Sequence, residues 1–119
     1  RPPISTLFPY TTLFRSTAVS GSGPAYFYLI AELMSQAGVM LGLDRDEAEL
    51  LAKETLIGAG KMLEQSSKTP SQLREAVTSP NGTTEAAINS FLEHDLDKVI
   101  YEAMLACRQR AEKMEGEYS

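Results

Sequence analysis

The chain has 119 residues, 43% of them hydrophobic, and a formal net charge of −5. That is enough apolar material for one small core, while the acidic balance and the absence of any long basic run argue against an electrostatic grip on nucleic acid or on an anionic membrane. One cysteine, Cys107, excludes an internal disulfide, and with His94 as the single histidine the soft ligands are too few for a structural zinc site. The expected compartment is reducing, hence cytoplasmic, and no metal is expected. Glu32, Gln36, Lys53 and Glu54 interrupt the apolar runs, so none reaches the length of a membrane span.

Residues 1–16 differ in composition from everything after them: three prolines, no acid, and only scattered Leu and Phe. Neither helical nor sustained strand periodicity runs through Thr6 to Phe14. This segment reads as a poorly ordered leader outside the domain, of vector or adapter origin, and its removal is expected to leave the melting temperature nearly unchanged. The domain itself is expected over residues 17–119.

From Thr17 the signals are helical. Ser20-Gly21-Ser22-Gly23-Pro24 reads as a flexible entry with Pro24 in a first helical turn, and Ala25 to Leu41 is apolar on nearly every face apart from Glu32, Ser35 and Gln36. A helix of that kind needs cover on most sides, which in a chain this short points to a partner chain or a further domain. Gly42 is placed as the C′ residue of that helix, and Asp44-Arg45-Asp46-Glu47 as a capping-box-like start for a second one running to about Gln65. Gly58-Ala59-Gly60 lies inside it. Two interior glycines at about 1 kcal/mol each predict that another backbone passes close by. Thr69-Pro70-Ser71-Gln72 repeats the starting grammar and predicts a short helix from Pro70 to about Ala76.

Val77-Thr78-Ser79-Pro80-Asn81-Gly82-Thr83-Thr84 then breaks the helical pattern. Pro80 biases Ser79 towards extended geometry, and Asn81 and Gly82 tolerate positive φ, so the chain turns sharply and delivers its amides to a new helix over Thr83 to Leu92. Free N–H groups and the positive end of the helix dipole suit a carboxylate or phosphate there, although an N-cap turn that binds nothing has the same local pattern. After the polar break Glu93-His94-Asp95, with Asp95 as the expected cap, a last helix carries Leu96, Val99, Ile100, Ala103, Met104 and Cys107 on one face. Cys107 on that face reads as a buried structural thiol, and His94 as a solvated loop residue. No nucleophile has a base at hand. Gly21-Ser22-Gly23 lacks the third glycine and preceding strand of a dinucleotide fingerprint, so no cofactor-binding residue is assigned.

Three blocks carry a resemblance: Thr17-Ala18-Val19-Ser20-Gly21-Ser22-Gly23-Pro24-Ala25-Tyr26, Gly58-Ala59-Gly60-Lys61-Met62-Leu63, and Leu73 to Ala87, which holds the turn. Together they resemble the C-terminal domain of pyrroline-5-carboxylate reductases over residues 17 to 115. The resemblance implies an all-α dimerisation domain with interleaving helices, without the family's N-terminal Rossmann domain. It implies reduction of 1-pyrroline-5-carboxylate to L-proline by hydride from NADPH or NADH, with neither cofactor bound to this chain alone and the chain inactive by itself.

Carried onto this sequence, Ser79, Gly82, Thr83 and Thr84 become the substrate-carboxylate loop. Thr84 matches a threonine near the imine nitrogen, a catalytic position from which a side chain orients the ring or relays a proton. Asn81 stands where a glycine is commonest. The implied partners are a second copy, in a homodimer or higher oligomer, and the small-molecule substrate, with no nucleic acid and no membrane. The competing expectation is a stand-alone helical dimerisation module without catalytic activity.

Overall fold

In a computed structural model, the structure describes residues 10–118. The described residues are helical throughout and contain no strand: α1 (Tyr10–Ser16), a π-helical turn (Thr17–Gly21), α2 (Gly23–Met40), α3 (Arg45–Gln65), α4 (Pro70–Ala76), α5 (Thr83–Glu93) and α6 (Leu96–Tyr118). The all-α expectation holds, and the helix boundaries fall within a residue or two of the sequence signals from Gly23 onward. The described residues divide into two compact units, one formed by residues 10–26 with 95–118 and the other by residues 27–94.

In the first unit, α1 and the π-helical turn both run against α6. The stretch expected to be a flexible entry is an ordered turn. The Ser22 amide donates to the Thr17 carbonyl at 2.9 Å and the Ser20 hydroxyl to the Ser16 carbonyl at 2.9 Å. The Tyr26 hydroxyl reaches back one turn of α2 to donate to the Ala18 carbonyl at 2.6 Å, and Ala18 is buried. The Cys107 thiol on α6 donates to the Ser22 hydroxyl at 3.3 Å, so the half-buried cysteine ties the helix face to the turn. Partial burial, with the neighbouring Cys107 thiol adding to it, pushes the Tyr26 phenol above its ordinary value of 10.0.

The helix at Tyr10–Ser16 departs from the reading of residues 1–16 as aperiodic, and residues 1–9 lie outside the described residues. Leu13 and Phe14 are half-buried in it. The lack of sequence periodicity is explained by length: two turns of helix need only one contact ridge, supplied here by α6. Two half-buried apolar side chains stabilise by about 1–2 kcal/mol, so deletion of residues 1–16 is expected to lower Tm by roughly 4–8 °C or more, the opposite of the expectation from sequence. A thermal melt followed by circular dichroism checks this, and an unchanged Tm would return the segment to a leader that contributes nothing.

In the second unit, α2 ends in a Schellman motif. The Leu43 amide bonds the Gly38 carbonyl at 3.0 Å, the Gly42 amide bonds the Val39 carbonyl at 2.9 Å, and Gly42 takes φ 109, as its placement at C′ requires. Among the described residues nothing would lie within 4 Å of a Cβ at Gly58 or Gly60, where a close approach is expected from sequence. One occurs at Gly38, where a Cβ would sit 3.3 Å from the Ala48 Cβ and 3.4 Å from Leu43 Cδ1. The turn after Gly42 folds the start of α3 back onto the last turn of α2, and Ala48 and Ala52 are buried.

The caps divide along a physical line. Thr69 and Gln72 form the full capping box, with the Gln72 amide donating to Thr69 Oγ1 at 3.2 Å and the Thr69 amide to Gln72 Oε1 at 2.9 Å. Asp44 holds the N-cap position of α3 in extended backbone but its side chain makes no cap bond. Asp95 contributes backbone instead of a cap, at φ 60, with its carbonyl accepting from the Val99 amide at 2.9 Å. His94, exposed at the end of α5, donates from Nδ1 to the Ser90 carbonyl at 2.7 Å and so serves as a C-terminal cap.

Candidate functional site

The turn between α4 and α5 is built from local bonds. As α4 ends, the Val77 amide donates to the Arg74 carbonyl at 3.2 Å and the Thr78 hydroxyl donates to the same carbonyl at 2.5 Å, which closes off the helix before Pro80. Ser79 to Gly82 then form a tight turn, closed by the Gly82 amide on the Ser79 carbonyl at 3.1 Å. Asn81 supplies the left-handed residue that this turn needs, at φ 61. Asparagine is the non-glycine side chain best suited to that region, so the turn forms without a glycine at this position.

Gly82 is required for space. At φ −89 and ψ −179 it is extended backbone open to any residue, but a Cβ there would lie 2.7 Å from Ser79 Oγ and 3.1 Å from the Ser79 carbonyl oxygen. The hydroxyl can swing aside; the carbonyl is held by the turn bond. Gly82→Ala is therefore expected to destabilise by about 1–2 kcal/mol through overpacking, read as a lower midpoint in chemical denaturation. An unmoved midpoint would mean that the turn gives way without loss.

Gly82 is also the N-cap of α5, and having no side chain it caps nothing. The next residues, Thr83 and Thr84, occupy the first two helical positions, where an α-helix offers N–H groups without intrahelical partners. The structure thus brings Ser79, Gly82, Thr83 and Thr84 into one continuous bend at the positive end of an 11-residue helix. Ser79 and Thr83 are exposed, while Gly82 and Thr84 are half-buried. One participant was not singled out from sequence. Glu85, half-buried in the first turn, accepts the Asn81 amide on Oε1 at 3.2 Å. Its signal was present as an acid three residues after the N-cap, the second half of a capping box, but with glycine at the cap the first half is missing.

The remaining candidates assemble no second site. Glu32 is exposed on α2, and no group of three or more His, Cys, Asp or Glu able to hold a metal ion occurs among the described residues. No helix among them is long and apolar enough to cross a membrane. Gly21-Ser22-Gly23 leads out of a π-helical turn, with Gly23 buried and the Ser22 hydroxyl engaged by Cys107, and no strand precedes it among the described residues.

Residues 12–114 match the family model for pyrroline-5-carboxylate reductase dimerisation. The chain belongs to that family. It is similar to the pyrroline-5-carboxylate reductases of Pseudomonas aeruginosa, 48% identical over 98 residues, and of Pisum sativum, 41% identical over 98 residues; each alignment covers 82% of this chain and 36% of the relative. Among solved structures, a pyrroline-5-carboxylate reductase from Coxiella burnetii superposes with TM-score 0.82 at 40% identity, covering 87% of this chain and 38% of that one. The Plasmodium falciparum pyrroline carboxylate reductase, solved with NADP bound, superposes with TM-score 0.81 at 31% identity, covering 87% and 40%. The chain spans little more than a third of the length of the reductases it matches. Within the dimerisation family, the uncovered α2 acquires a meaning: Phe27, Leu29, Ile30, Leu33 and Met34 are 45–59% exposed on a helix whose composition demands burial.

Proposed function

We propose that this chain is the helical part of a pyrroline-5-carboxylate reductase, which reduces 1-pyrroline-5-carboxylate to L-proline, and that its share of the work is to pair two subunits and hold the substrate's carboxylate. The observation that carries the reading is the bend at Ser79 to Thr84. A left-handed Asn81 and a cap residue without a side chain leave the amides of Thr83 and Thr84 open at a helix start. A carboxylate placed there gains charge-assisted hydrogen bonds, about 1.5–3 kcal/mol each, and roughly 0.3–1 kcal/mol from the helix dipole. The Ser79 and Thr83 hydroxyls are exposed beside those amides as further donors. Thr84 follows at the half-buried side of the bend, where its hydroxyl orients the ring or relays a proton to the imine nitrogen.

A nicotinamide dinucleotide, NADPH or NADH, is the hydride donor that this reaction needs, and the described residues do not fit one. Holding that cofactor is no part of the role assigned to these helices.

The test is a chimera in which residues 17–119 replace the matching region of the Pseudomonas aeruginosa relative. Reduction of 1-pyrroline-5-carboxylate at a rate within tenfold of the parent is expected. A chimera that folds and dimerises but does not turn over would favour the second reading, a stand-alone helical dimerisation module.

A further inference from the structure

The carboxylate loop has a fastening of its own. Asn81 is the pivot of the bend, and a non-glycine residue at φ 61 is held there at some cost in strain. Two bonds fix the pivot from either side. The Gly82 amide is bonded to the Ser79 carbonyl, and the Asn81 amide is bonded to Glu85 Oε1. Only the second comes from a side chain. In a usual capping box the acid at this position would reach the N-cap amide. Here that amide is already used inside the turn, and Glu85 reaches one residue further back, to the Asn81 amide.

We infer that Glu85 is a positioning residue for substrate binding: by holding the Asn81 amide it locks the left-handed pivot, and it thereby keeps the open amides of Thr83 and Thr84 aimed at the incoming carboxylate. The inference rests on the carboxylate-loop reading above. It has a chemical logic of its own, because an unengaged acid at this helix start would compete with a substrate carboxylate for the same positive end. With one oxygen engaged on the Asn81 amide, the acid has a partner other than the Thr83–Thr84 pair and acts as a strut. The requirement is then for an acceptor oxygen at that position, and a neutral amide should serve as well as a carboxylate.

Two measurements test this with Glu85→Ala and Glu85→Gln. In the full 119-residue chain, hydrogen exchange read by NMR should show the Asn81 amide exchanging at least about tenfold faster in Glu85→Ala, while Glu85→Gln stays within about threefold of the parent. In the chimera, Glu85→Ala should raise KM for 1-pyrroline-5-carboxylate about tenfold with kcat changed less than about threefold, and Glu85→Gln should restore KM. An Asn81 amide that exchanges no faster in Glu85→Ala overturns the fastening. Faster exchange with unchanged KM reduces Glu85 to a helix cap and overturns the positioning role. A Gln variant as impaired as the Ala variant overturns the strut in favour of bare charge. An unmutated chimera that folds without turning over sinks the reductase reading and with it the role in substrate binding, whereas the exchange result reports on the strut regardless.

Discussion

Thr84→Ala in the chimera is expected to lower turnover more than tenfold, a loss of about 1.4 kcal/mol or more of transition-state stabilisation. The substitution is informative because of where Thr84 sits. It is the second residue of α5, half-buried, and its amide belongs to the open set at the helix start. Alanine keeps that amide and is the better helix former, so the helix itself loses nothing and gains up to about 0.7 kcal/mol in propensity. A fall in turnover at unchanged or higher Tm therefore reports on the hydroxyl and methyl that alanine lacks, and Thr84→Val, which lacks only the hydroxyl, separates the two. If the hydroxyl only helps to bind the carboxylate equally in ground and transition states, KM rises and kcat stays. If it orients the ring or relays a proton, kcat falls. Unchanged kinetics would leave Thr84 as an ordinary first-turn residue.

The chain is expected to sediment as a dimer at micromolar concentration, and Leu33→Glu to weaken the association at least a hundredfold. Only Ala18, Ala48 and Ala52 are buried among the apolar side chains of the described residues, while Phe27, Leu29, Ile30, Leu33, Met34, Met40 and Leu41 stand 45–87% exposed along a single helix and its C-terminal turn. Covering the exposed half of each such side chain contributes about 1 kcal/mol, so burying the set together favours association over a bare helix in water. Leu33 is 48% exposed at the middle of α2; a glutamate there would be buried without a partner in the dimer and costs several kcal/mol, while in a monomer it would face solvent and cost little. A monomeric mass for the parent chain in sedimentation would refute the claim, as would a Leu33→Glu variant that associates normally.

The two predictions address different halves of the same proposal, and they fail separately. A dimer with an inert Thr84 would keep the assembly role and discard the carboxylate loop. A monomer whose chimera still depends on Thr84 would keep the loop and require another explanation for α2.

Local grammar was readable directly. Thr69-Pro70-Ser71-Gln72 determined a capped helix start because all its partners lie within three residues, and both capping-box bonds form. Gly42 determined a helix end because φ 109 is open to glycine at little cost. The bend at Ser79 to Gly82 was likewise fixed by residue type. Asp44 and Asp95 show the limit of that grammar: each stands where a cap is expected, and neither side chain is recorded making the bond, since a cap is one of several local bonds an aspartate can forgo when water is available.

What the sequence determined by itself, then, is the succession of helices, the turns between them, and the composition of α2 that requires a partner. Tertiary structure decided the rest. It set a close helix approach at Gly38, because the approach depends on which residues the Gly42 turn brings opposite one another. It made a helix of Tyr10–Ser16, since α6 supplies the ridge that a two-turn segment cannot encode alone. It also showed that the acid reaching Asn81 is Glu85, for the N-cap amide which that acid would ordinarily bond is consumed within the turn. Sequence specifies what each residue can bond to locally; which bond is made depends on the donors and acceptors that the folded chain has already used.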